Sequence, residues 1–158
     1  MPVTASVAAY AANPYGGFWI RVLAYIIDAI LINMVLLPVS FAMGIGVGVA
    51  GATVRMPGQG VQLVGALTGF ALGVFAVWLY DALLTSSSKQ ATVGKMIVGL
   101  RVTDLEGRRI SFARATARHF ARYLSGMILF IGFIMVGLTE RKQGLHDMIV
   151  GTLVQKGR

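Results

Sequence analysis

The chain has 158 residues, of which 56% are hydrophobic and 13% charged, with a net charge of +8. Soluble domains devote about 25% of their residues to charge, so a water-soluble fold of this composition would expose large apolar patches. That argues against an ordinary soluble enzyme and points to lipid as the solvent for much of the chain. A net positive charge in a soluble protein suggests nucleic acid. Here the basic residues adjoin apolar segments, which favours anionic headgroups of a cytoplasmic leaflet, and no nucleic-acid partner is expected. The absence of cysteine removes disulfides and thiolate metal sites.

Residues 1–17 read as a flexible N-terminal tail, with Asn13-Pro14 and Gly16-Gly17 as turn signals and no charge before Arg21. A secretory signal needs a basic start, so the apolar run that follows reads as a retained anchor. Residues 18–43 are long enough for the roughly 20 needed to span a bilayer core. They also carry Arg21 and Asp28, although a charge near the centre of a spanning helix costs about 2.5–3.5 kcal/mol on insertion scales. Pro38 frees the Met34 carbonyl and predicts a kink.

Residues 44–60 predict a glycine-rich loop. "GIGVGVAG" lacks the G-x-G-x-x-G spacing of a nucleotide-binding turn. A second spanning helix is expected over 61–84, with Gly65, Gly69 and Gly73 on one face, where another helix could approach closely. Its partner would be the first helix or a second copy of the chain. Trp78 and Tyr80, like Trp19 and Tyr25, suit a membrane interface.

Residues 85–122 form a basic region with eight Lys and Arg against Asp104 and Glu106. Alternation around "DLEG" predicts a small cytoplasmic β-hairpin over 97–112. From Phe112 the period turns helical, with Arg114, Arg118 and Arg122 on one stripe. Those arginines face either lipid phosphates, from a helix lying on the membrane surface, or a buried carboxylate with which they pair. Residues 124–138 are apolar but short for a crossing, hence either re-entrant or crossing. The C-terminal motif, 139–154, ends in "IVGTLVQ", a strand that could join the hairpin. The fold class expected is therefore an all-α polytopic membrane protein with two full transmembrane helices, one further short hydrophobic segment and a β-hairpin.

"GFWIRVLAYIID" with its apolar continuation, "ATVGKMIVGLRVTDLEGR" and "LHDMIVGT" together resemble the signature of the RDD family of small bacterial membrane proteins. The family is named for one arginine and two aspartates. On this resemblance Arg21 is the arginine, and Asp28 and Asp147 are the aspartates. Thr92, Gly94, Lys95, Arg101, Asp104 and Gly107 match the family's intervening pattern. Asp81 has no counterpart in it. The resemblance spans about residues 16–154 and implies a location in the bacterial cytoplasmic membrane. A transport role is proposed for some family members only.

Arg21 and Asp28 lie two helical turns apart on nearly one face, with Tyr25 between them. Arg21 can snorkel to headgroups. Asp28 needs a partner, with Arg21, Lys95 and an arginine of the stripe Arg114, Arg118 and Arg122 as candidates. It either pins the cytoplasmic motifs to the helices or serves as a proton or cation site. His146 beside Asp147 could join a proton relay. No metal, cofactor or enzymatic chemistry is expected. Two functional classes remain: a small ion- or proton-coupled transporter or transporter component, and a membrane scaffold that recruits a protein partner through its basic face. Either would be a homo-oligomer, and basic loops place both termini in the cytoplasm.

Overall fold

The computed structural model describes residues 14–127, 136, 139 and 141–157. Two long helices dominate: α1 (Phe18–Thr53) and α2 (Gly58–Ser86). A small module follows, made of α3 (Val93–Ile97), β1 (Leu100–Asp104), α4 (Phe112–Met127), α5 (Leu145–Ile149) and β2 (Thr152–Lys156). At 1.5 Å per residue, α1 and α2 run about 54 Å and about 43 Å, both longer than a hydrocarbon core of about 30 Å. The surplus lies at one end, where the module wraps the start of α1 and the finish of α2. Beyond it, residues 29–53 and 58–79 contain no charged side chain.

α1 runs ten residues past the end predicted from sequence, continuing through Pro38 and through most of the supposed glycine loop. In lipid every backbone group must be satisfied within its own segment, so glycines that would favour a loop in water stay helical. The connection shrinks to Val54–Pro57, with Arg55 at φ 53.

The close approach of α1 and α2 sits near this connection. A methyl group on Gly51 would collide with Val61. At Gly65 it would meet Val47 Cγ1 at 3.9 Å, and at Gly69 or Gly73 nothing within 4 Å among the described residues. The α1–α2 contact therefore does not use most of the predicted glycine face.

The predicted 97–112 hairpin is not formed. β1 pairs antiparallel with β2, with Val102 opposite Val154. After β1 the chain turns on Asp104, whose Oδ1 accepts from the backbone N–H groups of Glu106 (3.0 Å) and Arg108 (2.7 Å). Such carboxylate turns need no second strand. The chain then enters α4, where the Ser111 hydroxyl caps the Arg114 N–H at 3.2 Å.

The predicted flexible tail also needs correction at its end. Gly16 N–H donates to Val154 O, Lys156 N–H donates to Pro14 O, and Tyr15 bridges to Gln155. Residues 14–16 thus flank β2 on the side opposite β1. The core below the sheet gathers Ala82, Leu100, Val102, Ile110, Ala115 and Val154. Residues 124–127 continue α4, and most of the predicted 124–138 segment lies outside the described residues.

Gly51→Leu should lower the thermal stability of the purified protein, because Val61 is in the way. Gly69→Leu should leave the stability of a monomer unchanged, and any effect it has should appear in the mass of an oligomer. Melting curves and particle mass in detergent check both.

Candidate functional site: a buried charge cluster at the base of the helix pair

Arg21 sits in the first turn of α1, where its side chain reaches back into the module. Its Nη1 lies 2.5 Å from Asp147 Oδ2, its Nε donates to Gly16 O at 2.8 Å, and its Nη2 donates to Lys142 O. Arg118 of α4 grips the other oxygen of Asp147, through Nε at 2.8 Å and Nη2 at 2.7 Å. The Asp147 carboxylate is fully buried. It also accepts from Gly144 N–H, closing the first turn of α5, and from the Thr152 hydroxyl. Burial alone would raise its pKa. Arg118 and Arg21 overcome that and hold it well below the usual carboxylate range.

Asp28 behaves differently. None of its candidate cations reaches it. Oδ2 accepts from the Thr92 hydroxyl at 2.5 Å, and Oδ1 accepts from Gly94 N–H and the Tyr80 hydroxyl, both at 2.7 Å. The Tyr80 oxygen in turn accepts from Val93 N–H at 3.1 Å. Asp28 therefore caps α3 from a neighbouring helix, satisfying an amide that the start of a helix leaves without a partner. The approach is close because both sides are small. A methyl group on Gly94 would collide with the Ala24 carbonyl oxygen and the Asp28 carboxyl. Ala24, 1% exposed, fills the stripe between Arg21 and Asp28, whereas Tyr25 points outward, 64% exposed.

Asp81 of α2, which the family pattern left unplaced, is the third centre. It receives Arg122 Nη2 at 3.1 Å, His119 Nδ1 at 3.2 Å, Lys95 Nζ at 3.4 Å and the Thr85 hydroxyl at 3.5 Å. Burial pulls the Lys95 ammonium down to about 8, with Asp81 opposing the shift. Arg118, Arg122 and His119 thus all turn inward, whereas Arg114 is exposed. Of the two readings of the arginine stripe, the structure gives pairing for Arg118 and Arg122 and leaves Arg114 exposed. Among the described residues, no group of His, Asp and Glu side chains is arranged to hold a metal ion.

One feature escaped the sequence reading although its signal is plain. "MIVG" occurs twice, at Met96–Gly99 and Met148–Gly151. Both copies end a five-residue helix, pass through a glycine in the left-handed region (φ 70 at Gly99, φ 63 at Gly151) and begin a five-residue strand. The equivalent residues Val102 and Val154 are each other's partner at the centre of the sheet. The two units are related by an approximate two-fold. Asp28 of α1 caps one and Arg21 of α1 holds the other.

His146, also buried, has its pKa pulled down to about 3, chiefly by burial and against the pull of Asp147. An unfolded chain takes up that proton near the ordinary histidine value of 6.5, so stability from a neutral His146 is present above that pH and falls as the pH drops below it. Asp147, with its depressed pKa, loses its contribution at still lower pH. Thermal stability in detergent should therefore decline as the pH falls below about 6.5. His146→Gln should remove the first part of the decline.

The sequence pattern of the RDD family matches residues 15–151. The uncharacterized protein YxaI of Bacillus subtilis (strain 168) is 41% identical over 145 residues, covering 87% of this chain and 95% of its own length. The uncharacterized membrane protein YteJ of the same organism is 27% identical, covering 90% of this chain and 81% of its own length. The proline-rich antigen of Mycobacterium leprae (strain TN) is 25% identical, covering 86% of this chain and 59% of its own length. No solved structure matches the chain. With its two long apolar helices and the RDD pattern over residues 15–151, the chain is a membrane protein and belongs to the RDD family.

Proposed function

We propose that the chain is a non-enzymatic, multi-pass module of the bacterial cytoplasmic membrane whose charged signature serves assembly. In this reading the signature locks a cytoplasm-side module onto two spanning helices and presents its basic surface to anionic headgroups and a protein partner. The observation that carries it is the environment of Asp28. Its carboxylate accepts from three neutral donors, Thr92, Gly94 and Tyr80, an environment that suits docking the start of α3. Two helices cannot enclose a conduit, so transport would require several copies. Gly69 and Gly73, with no close neighbour among the described residues, offer a face for a second copy.

The sheet supports the topology of this reading. Residues 14–16, β1 and β2 are hydrogen-bonded together at the end where α1 begins and α2 finishes. The chain from α4 to β2 starts and ends on that side, which favours no crossing or two crossings over a single one. Thirteen of the fourteen Lys and Arg residues then share a side, with Arg55 alone opposite. A single crossing would give nine against five. The positive-inside rule makes the crowded side cytoplasmic.

Asp81 favours the second reading, a proton-coupled transporter component, because it contacts two protonable partners, Lys95 and His119. Proton and sodium flux in liposomes separates the two. For the assembly role, wild-type protein gives no flux above protein-free vesicles. Asp28→Asn turns an amide donor toward the donors it now accepts from and lowers stability by about 1–3 kcal/mol. Wild-type flux that Asp81→Asn or Asp28→Asn abolishes, with stability retained, would establish the transporter instead.

A further inference from the structure

α4 is amphipathic the wrong way round for a helix on a water-exposed domain. Such a helix turns its apolar stripe to the core and its charges to solvent. Here Arg118 and His119 are 3% and 2% exposed, whereas Phe120, Tyr123 and Leu124 are each about half exposed, at 52%, 52% and 49%. The exposed apolar face is continuous with the lipid-facing surface of α2. Phe75, 54% exposed, packs edge-on against Trp78 at 5.4 Å between ring centroids, and Trp78 meets Phe112 at 6.0 Å and Phe120 at 6.4 Å. The Trp78 indole N–H donates to the Thr116 hydroxyl of α4 at 3.3 Å.

The repeated units add two more apolar points. The same isoleucine in each, Ile97 and Ile149, is left 64% and 53% exposed. Ile97 ends the helix pressed onto Ala24 and Asp28 of α1, well inside that helix. Charge is segregated away from these surfaces. Arg101, Arg108, Arg109 and Lys156 are exposed on the sheet and its turn.

We propose that the module carried by α3, α4 and α5 is immersed in the interfacial layer of the bilayer, with the outer face of α4 and the two MIVG isoleucines against lipid and the β1–β2 sheet toward water. The partner is glycerophospholipid at the level where acyl chains meet headgroups. Interfacial helices bury their apolar face to this depth, and Arg114, exposed near the start of α4, can extend its stem to the phosphates. The buried cluster then serves a solvent argument. A helix that gives its apolar face to lipid must pair its inward charges within the protein, and Asp147 pairs with Arg118 while Asp81 pairs with His119 and Arg122. The inference rests on α1 and α2 spanning the bilayer.

The chain lacks cysteine, so single cysteines can be placed and spin-labelled one at a time. The full-length protein in phosphatidylethanolamine–phosphatidylglycerol vesicles would carry Phe120→Cys, Leu124→Cys, Ile97→Cys, Ile149→Cys, Arg108→Cys or Leu67→Cys, all at exposed positions. Relaxation by oxygen, which concentrates in lipid, is compared with relaxation by a water-soluble nickel chelate. Positions 97, 120, 124 and 149 should be several-fold more accessible to oxygen than to nickel, and position 108 the reverse. Nickel access at 120 and 124 matching that at 108 overturns the proposal. Low access to both reagents there also overturns it, because the face is then covered by protein. Loss of oxygen access at position 67 instead sinks the spanning helices themselves.

Discussion

A fully buried aspartate held between two arginines governs this structure. Asp147 faces Arg21 from the first turn of α1 and Arg118 from the middle of α4. Removing one partner of a buried ion pair costs about 3–5 kcal/mol, because the other charge is left without compensation. Three segments far apart in sequence are therefore held together by one carboxylate. Arg21 extends the hold through Gly16 O and Lys142 O to the segment beside β2 and the loop before α5. The arginine is not snorkelling from the end of a span. It is the clasp between the span and everything that follows it.

Around that clasp the chain repeats itself. Two short helix–glycine–strand units meet through Val102 and Val154, and α1 holds one through Asp28 and the other through Arg21. A carboxylate suits the first because it meets backbone and hydroxyl donors at a helix start. A guanidinium suits the second because that unit brings its own carboxylate, Asp147. The arginine and two aspartates of the signature form two distinct attachments, with Asp81 as a third that ties α2 to α3 and α4. These attachments are the basis of the assembly role proposed for the signature, and they let α4 turn an apolar face outward.

Arg21, Asp28 and Asp147 could be singled out from sequence because charge is conspicuous in an apolar chain, but their partners could not. Asp28 was matched to cations on charge alone. Three neutral donors serve it instead, brought there by the packing of α3 and α2 against α1. The 97–112 hairpin failed for a related reason. Alternation marks a strand without naming its neighbour, and β2, some fifty residues on, is as good a neighbour as the next segment. The helical period of 112–127 gave its two faces but not which one turned inward, since that depends on whether water or lipid lies outside. Glycines 44–51 suggested a loop by a rule that holds in water. Asp81 and the duplicated MIVG were visible as letters, and their meaning required the fold.

The most direct test of this account is a double-mutant cycle on Arg21 and Asp147. Arg21→Met, Asp147→Leu and the double variant would be unfolded reversibly in mixed micelles and their stabilities compared with wild type. If the clasp organises the fold, each single change is severe and the double is much less destabilising than their sum, a coupling well above the few tenths of a kcal/mol typical of independent sites. Additive effects would mean that Arg21 and Asp147 act separately, and the account of the signature as a clasp would be wrong.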